Sequence, residues 1–193
     1  MNLKELSDEE LMIEFQATNN VEAYTFLVRK YKNPLMNFVH RFTGDYESSA
    51  DIVQETMIRV FRKKDSFKPI GKFSTWIYTI AGNLARTELQ KKKKFGMLSI
   101  DAMGEDEDKQ FQIEDNSNRP DEILLNKLNE EMITKAIEQL PEIFREIVIL
   151  RDIQELSYEE IAEITGITAG TVKSRLNRGR SKLQILLSKM LED

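Results

Sequence analysis

Residues Phe67–Lys94 read FKPIGKFSTWIYTIAGNLARTELQKKKK, beginning with turn formers and ending in four consecutive lysines. Pro69 and Gly71 break any helical period. Beyond them the pattern is helical, with Ser74 placed to cap the start and the lysines suited to the carboxyl end of the helix dipole. At about 100° per residue, Ile77, Ile80, Ala81, Leu84 and Ala85 share one side, and Thr79, Gly82, Asn83, Arg86, Gln90 and Lys93 share the other. One face packs and the other is available for binding. Phe67, Phe73 and Trp76 lie close to an amide and a cationic track, and rings that stack on bases beside lysines that neutralise phosphates suit single-stranded nucleic acid. A core helix with a solvated basic end accounts for the same residues, and Trp76, at the border of the apolar stripe, fits either reading.

Upstream, Ser7 and Glu10 form a capping box and Leu6 and Leu11 its hydrophobic staple. Ala23, Phe26, Leu27, Tyr31, Leu35, Phe38 and Val39 follow at helical spacing, with Pro34 expected to kink or divide that helix and Gly44 to end it. A third helix is expected over Ser48–Lys64. It buries Ile52, Val53, Thr56, Met57, Val60 and Phe61 and leaves Asp51, Gln54, Glu55, Arg59 and Arg62 outside. Downstream, Gly96–Arg119 has no sustained period, carries EDED and DNSN, and stops at Pro120, so it reads as an acidic flexible linker. Helical spacing resumes from Asp121, and Pro141 starts a further helix.

LSYEEIAEITGITAGTVKSRLNRGRSKL, Leu156–Leu183, reads as two helices about a tight turn. Ser157 and Glu160 form a second capping box, Gly166 suits a left-handed carboxyl cap, Thr168 caps the second helix, and the small Ala162 permits close crossing. This is helix-turn-helix spacing. Val172, Leu176 and Leu183 project inward, whereas Gly170, Ser174, Asn177 and Arg178 project outward between flanks of Lys173 with Arg180 and Arg175 with Lys182. Such a helix suits a major groove, its outer residues facing base edges and its flanks the phosphates. The predicted fold is all-α, with a helical domain over 1–95, the linker over 96–120 and a helix-turn-helix domain over 121–193.

Composition narrows the function. The 193 residues contain no cysteine and one histidine, His40, which excludes thiolate chemistry and a histidine-rich metal site. The carboxylates are spread along helix faces, so no catalytic residue, metal or cofactor is expected. No apolar run is long enough to cross a bilayer, and the acidic start MNLKELSDEE is unlike a secretory signal, so a cytoplasmic location without membrane insertion is expected. The net charge of -5 divides unevenly: 16 Lys+Arg against 12 Asp+Glu over 1–95, 3 against 9 over 96–129, and 9 against 12 over 130–193. Thr168–Met190 alone holds six basic residues and no acidic one, so positive charge is concentrated on two small faces.

The wording of three segments is more specific than their periodicity. Phe73–Lys94 resembles the promoter-melting segment of bacterial RNA polymerase sigma factors of the extracytoplasmic-function (ECF) subfamily. Ala50–Phe67, ADIVQETMIRVFRKKDSF, resembles their segment that docks on the clamp helices of the polymerase β′ subunit, and Leu156–Leu183 their minus-thirty-five reader. The resemblance implies core RNA polymerase, through β′ and β, and promoter DNA as partners, and often an anti-sigma factor. It implies polymerase contacts at Asp51, Gln54, Glu55, Arg59 and Arg62, and minus-ten recognition and melting at Phe67, Phe73, Trp76, Thr79, Asn83, Arg86 and Lys93. Asn83 matches the family position associated with holding a flipped base. Minus-thirty-five contacts fall on Thr168, Gly170, Thr171, Lys173, Ser174, Arg175, Asn177 and Arg178. The linker corresponds to a segment that threads toward the polymerase active centre. The last motif alone is shared with response-regulator activators, which leaves a helix-turn-helix regulator as the alternative.

Overall fold

The computed structural model describes residues 2–100 and 131–192, and no strand occurs among them. The amino-terminal half contains α1 (Asp8–Thr18), α2 (Val21–Thr43), α3 (Tyr46–Arg62) and α4 (Phe73–Ile100). The carboxyl-terminal half contains α5 (131–138), α6 (Glu142–Val148), a π-helical stretch (Ile149–Ile153), α7 (Tyr158–Thr165) and α8 (Ala169–Glu192). Most of the acidic linker lies outside the described residues, as do the first turns of the helix expected from Asp121. α4 runs past Gly96, so the linker's first residues are helical rather than extended.

Local signals place most helix ends. Both halves of the Ser7–Glu10 box form, at 2.8 and 3.2 Å, and so do both halves of the Ser157–Glu160 box. Gly44 and Gly166 close α2 and α7 in the left-handed region, each at φ +71°, which costs glycine no steric penalty. Pro34 neither divides nor ends α2. Tyr31, Leu35 and Phe38 are buried on either side of it, so core contact offsets the one backbone hydrogen bond that proline removes. α3 starts at Tyr46, capped by Asp45, earlier than the expected Ser48. Phe61, expected inside, is 45% exposed. Ser74 does not cap α4; the helix begins one residue earlier, and the Phe73 amide donates to Glu9 of α1 at 2.8 Å.

The apolar stripes meet in one cluster that runs through both halves, from Leu11, Phe15, Leu27 and Phe38 to Ile147, Ile161, Val172 and Leu176. Burial of each such side chain contributes roughly 1.5–3 kcal/mol. In the carboxyl-terminal half α6 and α8 approach closely because Gly179 faces them: a Cβ there would lie 2.8 Å from Val148 Cγ2 and 3.3 Å from Phe144 Cβ.

α4 is shared between the halves. Ile77, Ala81, Ala85 and Leu89 are buried on its apolar side, while Gly82, expected outside, is buried where α6 passes. A Cβ at Gly82 would meet Glu146 Oε1 at 3.3 Å. Polar contacts ring this junction. Lys72 pairs with Glu160 at 3.0 Å, Lys93 with Glu142 at 2.9 Å, and Arg86 with Glu146. The Tyr78 hydroxyl donates to the Gln154 side chain, Arg41 to Thr134 Oγ1 at 2.6 Å, and Arg145 to the Phe42 carbonyl at 3.0 Å. In all three ion pairs the cation comes from α4 or the loop before it, and the carboxylate from the other half.

Glu146 is the most buried of these carboxylates, 7% exposed. Burial pushes its carboxyl up from 4.5 to about 7, a rise that Arg86 and Arg175 partly oppose. Folding therefore favours its protonated form. The stability it contributes is fully present below 4.5 and is lost as pH rises through about 7. Glu146→Gln should remove that dependence, so the variant's melting temperature should gain on that of wild type as pH rises across this window. Paired thermal melts in matched buffers test it. A variant that falls behind wild type across the window would show that the charged ion pair, not burial, dominates.

Candidate nucleic-acid interface

The polar face of α4 is built around Asn83, which is exposed. Its Oδ1 accepts from Arg86 at 2.7 Å, and the same guanidinium donates to the Ile164 carbonyl at 3.2 Å and to Glu146. Arg86 is thus turned toward α6 and α7, and it lines a cleft of about 190 Å³ with Phe42, Gln90, Glu146, Thr165 and Arg175. Thr79, one turn before Asn83, is half-buried and donates to the Thr75 carbonyl at 2.7 Å. Lys93 is exposed and reaches Glu142.

The three aromatic side chains differ. Phe73 is fully buried, at 0%, and Phe67 nearly so, at 5%. Their rings meet edge to face at 5.8 Å, and Phe73 also meets Tyr31 at 5.3 Å. Both are core side chains in this conformation and offer no free stacking surface. Trp76 is half-buried, with Phe67 at 5.4 Å and Phe73 at 6.1 Å, so only part of its ring can meet a base. Sequence spacing located the cluster but not which rings it would swallow. The loop between Phe67 and Phe73 is exposed throughout, with Ile70 at 94%.

α8 carries the second face. Val172 and Leu176 are buried, and the Thr171 amide donates to Thr168 Oγ1 at 3.2 Å, which caps the helix as expected. Thr168, Gly170, Lys173, Ser174, Asn177 and Arg178 are exposed, and Thr171 is half-buried. Two flank residues behave differently from the pattern. Arg175 is half-buried in the cleft near Glu146, and Arg180 forms a two-point pair with Asp152, one bond at 3.0 Å, which braces α8 on the π-helical stretch. Nothing in the local sequence marks Glu146, Asp152 or Gln154 as partners of these helices, because each lies on a separate element.

On α3, Asp51, Gln54, Arg59 and Arg62 are exposed, and Glu55 pairs with Arg59 one turn on at 2.7 Å. They form a continuous charged face opposite buried Ile52, Val53, Thr56 and Val60. Among the described residues no group of three His, Cys, Asp or Glu is placed to hold a metal ion, and no helix is long and apolar enough to cross a membrane.

Comparison with known proteins agrees with this division. The Sigma-70 region 2 model matches residues 27–95, and the Sigma-70 region 4 model matches residues 130–183. The chain is 35% identical to the ECF RNA polymerase sigma factor SigW of Bacillus subtilis, over 84% of this chain and 88% of that protein. It is 34% identical to the ECF RNA polymerase sigma factor SigE of Mycolicibacterium smegmatis, over 91% of this chain and 66% of that protein, slightly under two thirds of its length. The sigma factor RpoE of Bartonella quintana, solved with the anti-sigma factor NepR, superposes with a TM-score of 0.68 at 27% identity, covering 86% of this chain and 96% of RpoE. The region 2 match lies outside the helix-turn-helix and removes the reading as a stand-alone helix-turn-helix regulator. With both regions matched in order on an all-helical frame, the chain belongs to the ECF subfamily of bacterial RNA polymerase sigma factors.

Proposed function

We propose that this sigma factor docks on the β′ clamp helices of core RNA polymerase through Asp51, Gln54, Glu55, Arg59 and Arg62, with further contact to β. In this reading it recognises the minus-thirty-five element with α8 and traps a base flipped from the minus-ten element on α4. The observation that carries it is the exposure of Asn83 on one helix and of Lys173, Ser174, Asn177 and Arg178 on the other, with each helix anchored by a buried apolar side. The polymerase performs the chemistry; the sigma factor chooses and opens the site. An anti-sigma factor is proposed as a further partner, since the RpoE relative was solved with one. Promoter-dependent transcription from core enzyme plus this chain is the direct test, and its failure on every promoter bound would overturn the assignment.

Exposure differs between the two DNA-facing helices. On α4, Arg86 and Lys93 are held by carboxylates of the other half. In the free chain the melting face is therefore partly covered, and polymerase must part the halves before that face can act. Gln154→Ala combined with Thr134→Val removes two junction contacts without changing the charge of the DNA-facing side. The free variant should bind a single-stranded minus-ten oligonucleotide more tightly than wild type, and the difference should vanish in the holoenzyme. Equal affinities of the free proteins would count against occlusion.

The α8 contacts should fail in two different ways. Replacing Arg178 should relax preference at particular minus-thirty-five positions, by about 1–3 kcal/mol for a bidentate base contact. Replacing Lys173 should weaken binding to all sequences alike and lower its salt dependence. Holoenzyme binding to a panel of promoters at several ionic strengths separates the two, and identical sequence-independent losses would defeat the assignment.

Asn83 should act at opening rather than docking. Its amide can donate to and accept from a base edge, and extruding a base costs a few kcal/mol. Asn83→Ala should lower permanganate reactivity of promoter thymines on duplex DNA and regain it on a template with a preformed bubble. Normal opening by the variant, or no rescue by the bubble, would rule the role out.

A further inference from the structure

The loop before α4 is fixed at both ends by a helix far away in sequence. At its start, Gln16 of α1 donates from Nε2 to the Lys64 carbonyl at 2.5 Å and to the Phe67 carbonyl at 3.0 Å. Lys64 reaches back across the same gap: its Nζ donates to the carbonyls of Phe15 and Gln16 at 3.2 and 3.3 Å and to Asn19 Oδ1, and lies 4.9 Å from the centre of the Phe15 ring. A cation on the last carbonyls of α1 also suits the negative end of that helix. Phe67 is driven into the core beside Phe73 and Trp76. At the far end, the Glu9 carboxylate takes the Phe73 amide at 2.8 Å, where an acidic group meets the positive end of α4. Between these anchors Lys68, Pro69, Ile70, Gly71 and Lys72 are all exposed.

α1 is in turn tied down. Asp8, next to Glu9, accepts from Lys30 at 2.7 Å and from the Tyr31 hydroxyl at 2.6 Å, both on α2. The loop thus has a rigid root at each side and a short free tip, which is the arrangement a base-capturing loop needs: positions held by packing and hydrogen bonds, with little ordering left to be done on binding.

We propose that α1 is the positioning element of the minus-ten loop, with Glu9, Gln16 and Lys64 as positioning residues that set where Lys68–Lys72 meets the displaced strand. The proposal rests on the reading of α4 as the minus-ten reader and extends it to the loop that leads into this helix. None of the three side chains need touch DNA. They act on selectivity by fixing the loop's backbone, and losing one anchor lets the tip sample positions from which correct and incorrect bases are held alike.

The experiment uses reconstituted holoenzyme and fluorescent single-stranded oligonucleotides carrying the preferred minus-ten sequence or single-base changes in it. Glu9→Ala and Gln16→Ala should each lower discrimination between preferred and altered sequences by about three- to ten-fold, the range expected for one lost hydrogen bond, with polymerase affinity unchanged. Glu9→Gln keeps an acceptor for the Phe73 amide and should retain most of the discrimination. Thr43→Val removes the buried hydrogen bond to Ser49 at 3.0 Å, which involves neither α1 nor the loop, and should leave discrimination intact. Unchanged discrimination in the two alanine variants would overturn the proposal. So would an equal loss in Thr43→Val, or a loss matched by weaker polymerase binding, since either would mean general destabilisation. Wild-type holoenzyme that shows no minus-ten preference would instead refute the reading of the loop itself.

Discussion

Arg86 ties α4 to the carboxyl-terminal half through the most buried of the junction carboxylates. In this structure it holds Glu146 and also donates to Asn83 Oδ1 and the Ile164 carbonyl. Burial favours the protonated form of Glu146, so above about pH 7 the cost of holding it charged opposes closure of the halves and Arg86 offsets only part of that cost. Arg175 of α8 lines the same cleft and also favours the charged form of Glu146. On separation Arg175 and water can take over the carboxylate, and Arg86 is released with Asn83 beside it.

The uneven charge along the chain has the same logic. The amino-terminal half is net positive and the carboxyl-terminal half net negative, and the structure brings them together cation to carboxylate at Lys72, Arg86 and Lys93. Lys72 and Lys93 are solvated, so their pairs are worth little and are screened by salt. Their placement matters more than their strength, because carboxylates stand where a polyanion would otherwise approach α4. Lys173, Ser174, Asn177 and Arg178 of α8 stay exposed, so a negative half can still carry the helix proposed to read DNA.

Much of this was legible where the signal is local. Both capping boxes, the glycine caps at Gly44 and Gly166, the Thr168 cap and the inward Val172 and Leu176 each depend on residues within one turn. What sequence could not supply is contact between distant elements. Ser74 looked like the cap of α4, but Glu9 takes the free amide from across the fold. Gly82 fell on the polar side of the helix and is buried, because periodicity cannot distinguish a face open to water from one covered by another domain. Phe67 and Phe73 looked like stacking rings and are core, since an aromatic residue beside a loop has the same spacing in either role.

α4 therefore answers to three constraints at once: its apolar stripe belongs to the amino-terminal core, its polar stripe to the domain junction, and its start to α1. Asn83 is exposed on the second of these, while Arg86 and Lys93 beside it are held by carboxylates of the other half. Both halves belong to one chain, and the closing contacts act at the effective concentration that the connecting segment sets, which can hold individually weak pairs together. A large partner that engages α3 and the carboxyl-terminal half at separate points can oppose that closure by geometry alone. On the proposed reading, core polymerase would both receive this subunit and, by holding the halves apart, free Arg86 and Lys93 of α4 from their carboxylates.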